Sequence, residues 1–162
     1  MEIMEGAVER VHMRQRTDYY CGPAVIQMAL RLRRIRITQK EAARLARTNK
    51  KVGTRPQSLV AVLRSYGLRV RGGNNRTLAE VRAALKRGEA VIVCYTERHW
   101  GWGHYSLVRS ADLARVELID PAESARVSAM TTMEFRRRWK DPLFTKTVRW
   151  AAFVGNFKKK RS

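Results

Sequence analysis

Apolar positions recur at helical spacing through the first half of the chain and gather into short β-branched runs through the second. In AVIQMALRL, residues 24–32, they fall on one helical face, and Pro23 suits a first turn, where its missing N–H costs nothing. Thr38 with Glu41 makes a capping box before EAARLAR, Thr77 with Glu80 does the same for LAEVRAALKRG, and Pro56 and Gly67 bracket SLVAVLRSY. These signals predict four helices. From Ala90 onward AVIVCY, HYSLVRS, RVELID and TVRWAAFVG read as strands of one antiparallel sheet, with residues 110–114 turning between the second and third. Thr131 and Glu134 start a further capped helix, MEFRRRW, before the last strand. Helices first and sheet second give an α+β layout.

Length and composition fit one domain, since 162 residues with 44% apolar content suffice for a single core. That domain is expected to span residues 1–157, with 158–162 a solvated basic tail. No apolar run approaches the roughly 20 residues of a membrane span, and the start MEIMEGAVERVH resembles no signal peptide, so a cytoplasmic chain without a membrane partner is expected. Cys21 and Cys94 form no C-x-x-C and are read as separate thiols. The 34 Lys+Arg against 14 Asp+Glu give a formal charge of +20. Such a field draws polyanions nonspecifically, which makes nucleic acid a candidate partner beside an acidic peptide or protein substrate. The cations are spread over 31–36, 44–51, 64–76 and 136–140, which predicts a surface basic everywhere rather than one groove.

Candidate chemistry begins at Cys21, which opens a helix in QRTDYYCGPA, where unpaired amides and the macrodipole favour a thiolate. Taken alone, an inert buried cysteine is the commoner meaning. His104, in GWGHYSLV, starts one strand and Asp120, in ELIDPA, ends the next, so a hairpin can set them side by side. An imidazole can then take the thiol proton and later protonate a leaving amine, while a carboxylate fixes its tautomer. Gln15, six positions before Cys21, offers a side-chain amide that can join the Cys21 backbone N–H as an oxyanion donor. Elsewhere Cys94 reads as core, His99 as loop, Asp18 and Asp112 as turn residues, and His12 as belonging to no constellation. Trp100 and Trp102 read as cleft wall or as packing. No second ligand cluster accompanies His99, so neither a metal nor a cofactor is predicted.

Together QRTDYYCGPA, GHYSLV and LIDPA resemble the bacteriocin-processing, double-glycine (C39-like) cysteine peptidases of the papain-like clan. The resemblance extends over Gly53-Thr54 before the third helix, LRSYGLRV leading into an extended segment, KRGEAVIV and MEFRRRW. It implies a papain-like fold, with Cys21 as nucleophile, His104 as general base and acid, Asp120 as orienting carboxylate and Gln15 as oxyanion donor. It further implies hydrolysis of a peptide bond, of Gly-Gly type in the best-known members. Those members are domains of peptide-exporting ABC transporters, whereas this sequence contains no apolar spans and no G-x-x-x-x-G-K-[ST] loop, so the resemblance is to the stand-alone form. Two alternatives share these residues: acyl transfer to an amine or thiol, and a peptide- or nucleic-acid-binding module without turnover.

Overall fold

All three predicted threonine N-caps form in the computed structural model, which describes residues 3–144 and 146–158. The hydroxyls of Thr38, Thr77 and Thr131 accept from the backbone N–H of Glu41, Glu80 and Glu134, each at 3.1 Å. The described elements are α1 (Glu5–Val11), α2 (Cys21–Arg31), α3 (Gln39–Leu45), α4 (Pro56–Ser65), β1 (Leu68–Gly73), α5 (Leu78–Lys86), β2 (Ala90–Thr96), β3 (Gly103–Ala111), β4 (Arg115–Ile119), β5 (Val127–Thr131), α6 (Thr132–Arg138) and β6 (Ala151–Phe157). The strands form one sheet in the order β1-β6-β2-β3-β4-β5, with every neighbouring pair antiparallel.

Each face of the sheet has its own core. One face packs against α1 to α4 through residues such as Val8, Ile26, Met28, Leu59 and Leu63; the other packs against α5 and α6 through Val81, Leu85, Phe135 and Trp139. Within α2 the side chains of Ile26, Met28 and Leu30 are fully buried, each contributing about 2 kcal/mol of hydrophobic stabilisation. This burial fixes α2 against β3, the strand that His104 enters. Among the described residues no helix is long and apolar enough to cross a membrane.

Two elements lay outside the sequence prediction, a third was expected only as an extended segment, and one was drawn too long. Helix α1 has no side-chain cap and forms by burying Val8 and Val11, a tertiary cause without a local signal. Strand β1 buries only Leu68 and Val70, too few positions for alternation to register, and its partner β6 lies at the far end of the described chain. Strand β5 sits at the sheet edge and buries none of its side chains fully. The last strand starts at Ala151 rather than Thr147. Thr147 and Arg149 instead fold back on residues 139–141 through Asp141 N–H to Thr147 O and Arg149 N–H to Trp139 O, and Arg149 turns at φ 46°. Of the expected tail, Lys158 donates its N–H to Gly67 O, and 159–162 lie outside the described residues.

Candidate active site

Helix α2 starts at Cys21, and Tyr20 before it supplies no side-chain cap. With Pro23 in the first turn, the amides at the start of the helix are left without a side-chain cap or an intrahelical acceptor. Gly22 is required by packing: a Cβ there would collide with the Cβ and Oγ1 of Thr54. Thr54 is itself held by Thr48 Oγ1 at 2.7 Å and by the Tyr105 hydroxyl, which donates to its carbonyl at 2.8 Å. Gly22→Ala is therefore expected to cost about 1–3 kcal/mol of stability and to displace Cys21, measurable as a lowered melting temperature with slower thiol alkylation.

Across the sheet, β2 and β3 pair Tyr95 with His104, and β4 ends one residue before Asp120. The pairing places His104 Nε2 2.7 Å from Asp120 Oδ1, with both side chains almost completely buried. Since Nε2 is engaged there, Nδ1 is the ring nitrogen left for Cys21, which acts on the imidazole. Burial alone would push the imidazole down; the hydrogen bonds to Asp120 and Cys21, and the negative charge of both, lift it instead to about 10. Burial likewise works to raise Asp120, but the His104 hydrogen bond and charge, the Ala122 amide and the Ser128 hydroxyl hold it below its ordinary range.

Asp120 is saturated with partners. Its Oδ1 also accepts from Ala122 N at 2.9 Å, while Oδ2 accepts from the Tyr95 hydroxyl at 3.3 Å and from Ser128 Oγ at 3.2 Å. Its carbonyl lies 2.9 Å from Nε2 of His12 and, as a carbonyl can only accept, that nitrogen carries the proton. His12 thus braces the Asp120 backbone, contrary to the expectation that it stood apart. Gln15 enters the same cluster through its backbone N–H to Pro121 O at 2.9 Å. Its side-chain Nε2 donates to Thr17 O at 2.8 Å, which fixes the amide orientation, and its buried Oε1 has no hydrogen-bond partner among the described residues.

Cys21 opens onto a cleft of about 380 Å³. One wall is the turn from Lys50 to Thr54, closed by the Asn49–Gly53 bridge, and the other includes Trp102, Gly103 and Asp141. Trp102 lines this cleft, while Trp100 stacks on it at 6.3 Å and meets the His104 ring edge-on at 6.1 Å; both indoles are about half exposed. Among the described residues no group of three or more acidic, Cys or His side chains could hold a metal ion.

A family model for the peptidase C39-like family matches residues 9–146. The chain belongs to the peptidase C39-like family. Two curated relatives, uncharacterized proteins of Methanothermobacter thermautotrophicus and Methanothermobacter marburgensis, are 33% and 32% identical over 114 residues, 70% of this chain and 73% of each relative. Among solved structures, a C39-like peptidase from Bacillus anthracis superposes with a TM-score of 0.75 at 12% identity, covering 98% of this chain and 100% of that one. The peptidase domain of Streptococcus ComA, a bifunctional ABC transporter, gives 0.72 at 20% identity, covering 90% and 98%. A double glycine motif protease from an AMS/PCAT transporter, solved with its leader peptide, gives 0.67 at 15%, covering 90% and 91%. The fold is therefore the papain-like fold of C39 peptidase domains.

Within this family member, Asp112 plays the turn role expected of it, accepting at 2.7 Å from the N–H of both Ala114 and Arg115. Asp18 and His99 lie in loops. Cys94 is buried as expected, with its thiol 3.7 Å from Asp141 Oδ2, and burial followed by the Asp141 charge pushes it well above the ordinary thiol range. Asp141 itself escaped sequence reading. It lies 37 residues beyond His104, and only the folded chain brings it against Gly103, where a Cβ would collide with its carboxylate.

Proposed function

We propose that the protein is a cysteine peptidase in which Cys21 attacks the peptide carbonyl, His104 carries the proton, Asp120 holds the imidazole and Gln15 binds the oxyanion. The buried His104–Asp120 hydrogen bond at 2.7 Å, with Cys21 acting on the same imidazole from an uncapped helix N-terminus, carries this reading. In the first half-reaction the Cys21 thiolate bonds to the carbonyl carbon, and the displaced electron pair sits on oxygen between the Cys21 N–H and the Gln15 side-chain amide. The C–N bond then breaks as the imidazolium gives its Nδ1 proton to the leaving amine, and a thioester remains. Neutral His104 next takes a proton from water, whose hydroxide equivalent bonds to the thioester carbon and returns Cys21 to thiolate.

Lys50 and Lys51 at the rim of the cleft support a substrate with acidic side chains near the scissile bond, and the double-glycine relatives make a Gly-Gly bond the first to test. At neutral pH, limiting iodoacetamide should label Cys21 at least about tenfold faster than Cys94, read by peptide mass spectrometry. Peptides containing an acid-flanked Gly-Gly bond should then be cleaved, and iodoacetamide should abolish cleavage in step with Cys21 labelling. Equal labelling of the two thiols would sink the assignment of Cys21 as an activated nucleophile.

A further inference from the structure

The cleft at Cys21 is not the larger concavity of the molecule. A groove of about 770 Å³ opens where the starts of β1 and β2 meet the end of β6. Glu89 at its floor precedes β2, whereas His104 pairs with Tyr95 six residues further on, so at about 3.3 Å per residue the groove lies roughly 20 Å from the candidate active site. Its charge is one-sided. Arg64, Arg69, Arg71, Arg87 and Lys158 line it against the single carboxylate of Glu89. These cations are spread over 95 residues of sequence, and folding gathers them into one groove.

Glu89 acts on the groove as an organiser. It pairs with Arg71 at 3.0 Å and Arg87 at 2.7 Å, fixing two guanidinium groups at the cost of one unit of charge. Arg64 is fixed by its Nε and Nη2 donating to Val70 O, at 3.1 and 2.7 Å, and Arg69 and Lys158 have no acidic partner among the described residues. Arginines that outnumber the one carboxylate among them suit phosphate, whose oxygens match the guanidinium fork.

The floor adds a second feature. Phe153, Gly155 and Phe157 of β6 all line the groove, Phe153 opposite Arg71 and Phe157, beyond a shift of register, opposite Leu68. Phe153 lies buried beneath the Arg71 guanidinium, 5.0 Å from it, while Phe157 is 51% exposed. Gly155 leaves a gap in the groove lining, and packing does not demand it: a Cβ there would meet only Arg69 Cβ and O at an ordinary 3.7 Å. We propose that this groove binds a single-stranded polynucleotide, RNA or DNA, with phosphates on the arginines and a base in the Gly155 gap against Phe157. The exposed ring beside the gap favours a polynucleotide over an acidic polypeptide, which needs cations but no stacking surface.

Fluorescence anisotropy with labelled oligouridylate and oligothymidylate tests this, with labelled oligoglutamate as the competing ligand class. Gly155→Leu fills the gap without altering charge, and Phe157→Ala removes an exposed ring that the fold does not bury. Each should weaken oligonucleotide binding by about tenfold, the scale of one lost base–aromatic stack. Arg136→Glu on α6 alters charge far from the groove and should change affinity much less. Binding should fall with salt with a log–log slope of about −3, as the release of about 0.7 counterion from each of four neutralised phosphates requires. The ratio of the two oligonucleotide affinities identifies RNA or DNA as the ligand. Unchanged melting temperature and Cys21 alkylation show that each variant is folded, and Phe157→Ala stands alone should Gly155→Leu not fold. Groove variants that weaken binding no more than Arg136→Glu would reduce the interaction to diffuse attraction and overturn the proposal. Oligoglutamate binding as tightly as the oligonucleotides, with equal loss in Gly155→Leu, would overturn it in favour of an acidic polypeptide.

Discussion

Cys21→Ala should lose at least about a thousandfold in the hydrolysis rate of an acid-flanked Gly-Gly peptide while keeping its melting temperature within a few degrees. The size of the loss follows from the chemistry: with no sulfur at position 21 there is no thioester, and the Gln15 amide and helix N–H groups have no tetrahedral intermediate to stabilise. The fold should survive, since Ala retains the Cβ, Cys21 is only half-buried, and the surrounding order comes from Gly22 against Thr54 and from the buried body of α2. Substrate affinity should survive too, as the cleft walls from Lys50 to Thr54 and from Trp102 to Gly103 are untouched. Steady-state hydrolysis, thermal melting and peptide binding to the variant separate these effects. Retained hydrolysis in a folded Cys21→Ala protein would remove Cys21 from the mechanism, and joint loss of activity and melting temperature would make its role structural.

What could be read from the sequence was whatever had a local cause. Thr38, Thr77 and Thr131 each reach the N–H three residues on, so the capped helices stood out without any knowledge of the rest of the chain. His104 and Asp120 were legible as a pair because a short antiparallel hairpin converts their positions along two strands into adjacency. The support around Asp120 was not legible. His12, Tyr95 and Ser128 converge on it from 108, 25 and 8 residues away, and nothing in the sequence near any of them marks that meeting. Asp141 was hidden for the same reason, and β1 showed only as an extended segment, its pairing with the distant β6 marked by nothing local. The resemblance of QRTDYYCGPA to C39-like peptidases supplied roles for four residues, but not the packing that makes Gly22 necessary.

Asp120→Asn should reduce hydrolysis by about 10²–10⁴-fold and move the alkaline limb of kcat/KM to lower pH, because the carboxylate acts through His104. In the wild-type protein burial opposes charge on the imidazole, yet the hydrogen bonds to Asp120 and Cys21 hold it protonated up to about pH 10. Activity should therefore fall on the alkaline side near that pH, as the proton needed by the leaving amine is lost. An amide at position 120 withdraws the negative charge, and its oxygen and nitrogen cannot together satisfy the donors now shared among His104, Ala122, Tyr95 and Ser128. The same exchange has a signature in stability. His104 is raised above its ordinary 6.5, so its contribution is complete below that pH and drains away as pH climbs toward 10. Asp120 is lowered from 3.8, so its contribution is complete above that value and is lost as pH falls below it. Wild-type melting temperature should thus carry a decline between about pH 6.5 and 10 that flattens in Asp120→Asn, alongside the shifted activity profile. An alkaline limb and a melting profile both identical to wild type would show that Asp120 only packs against His104 and does not hold its proton.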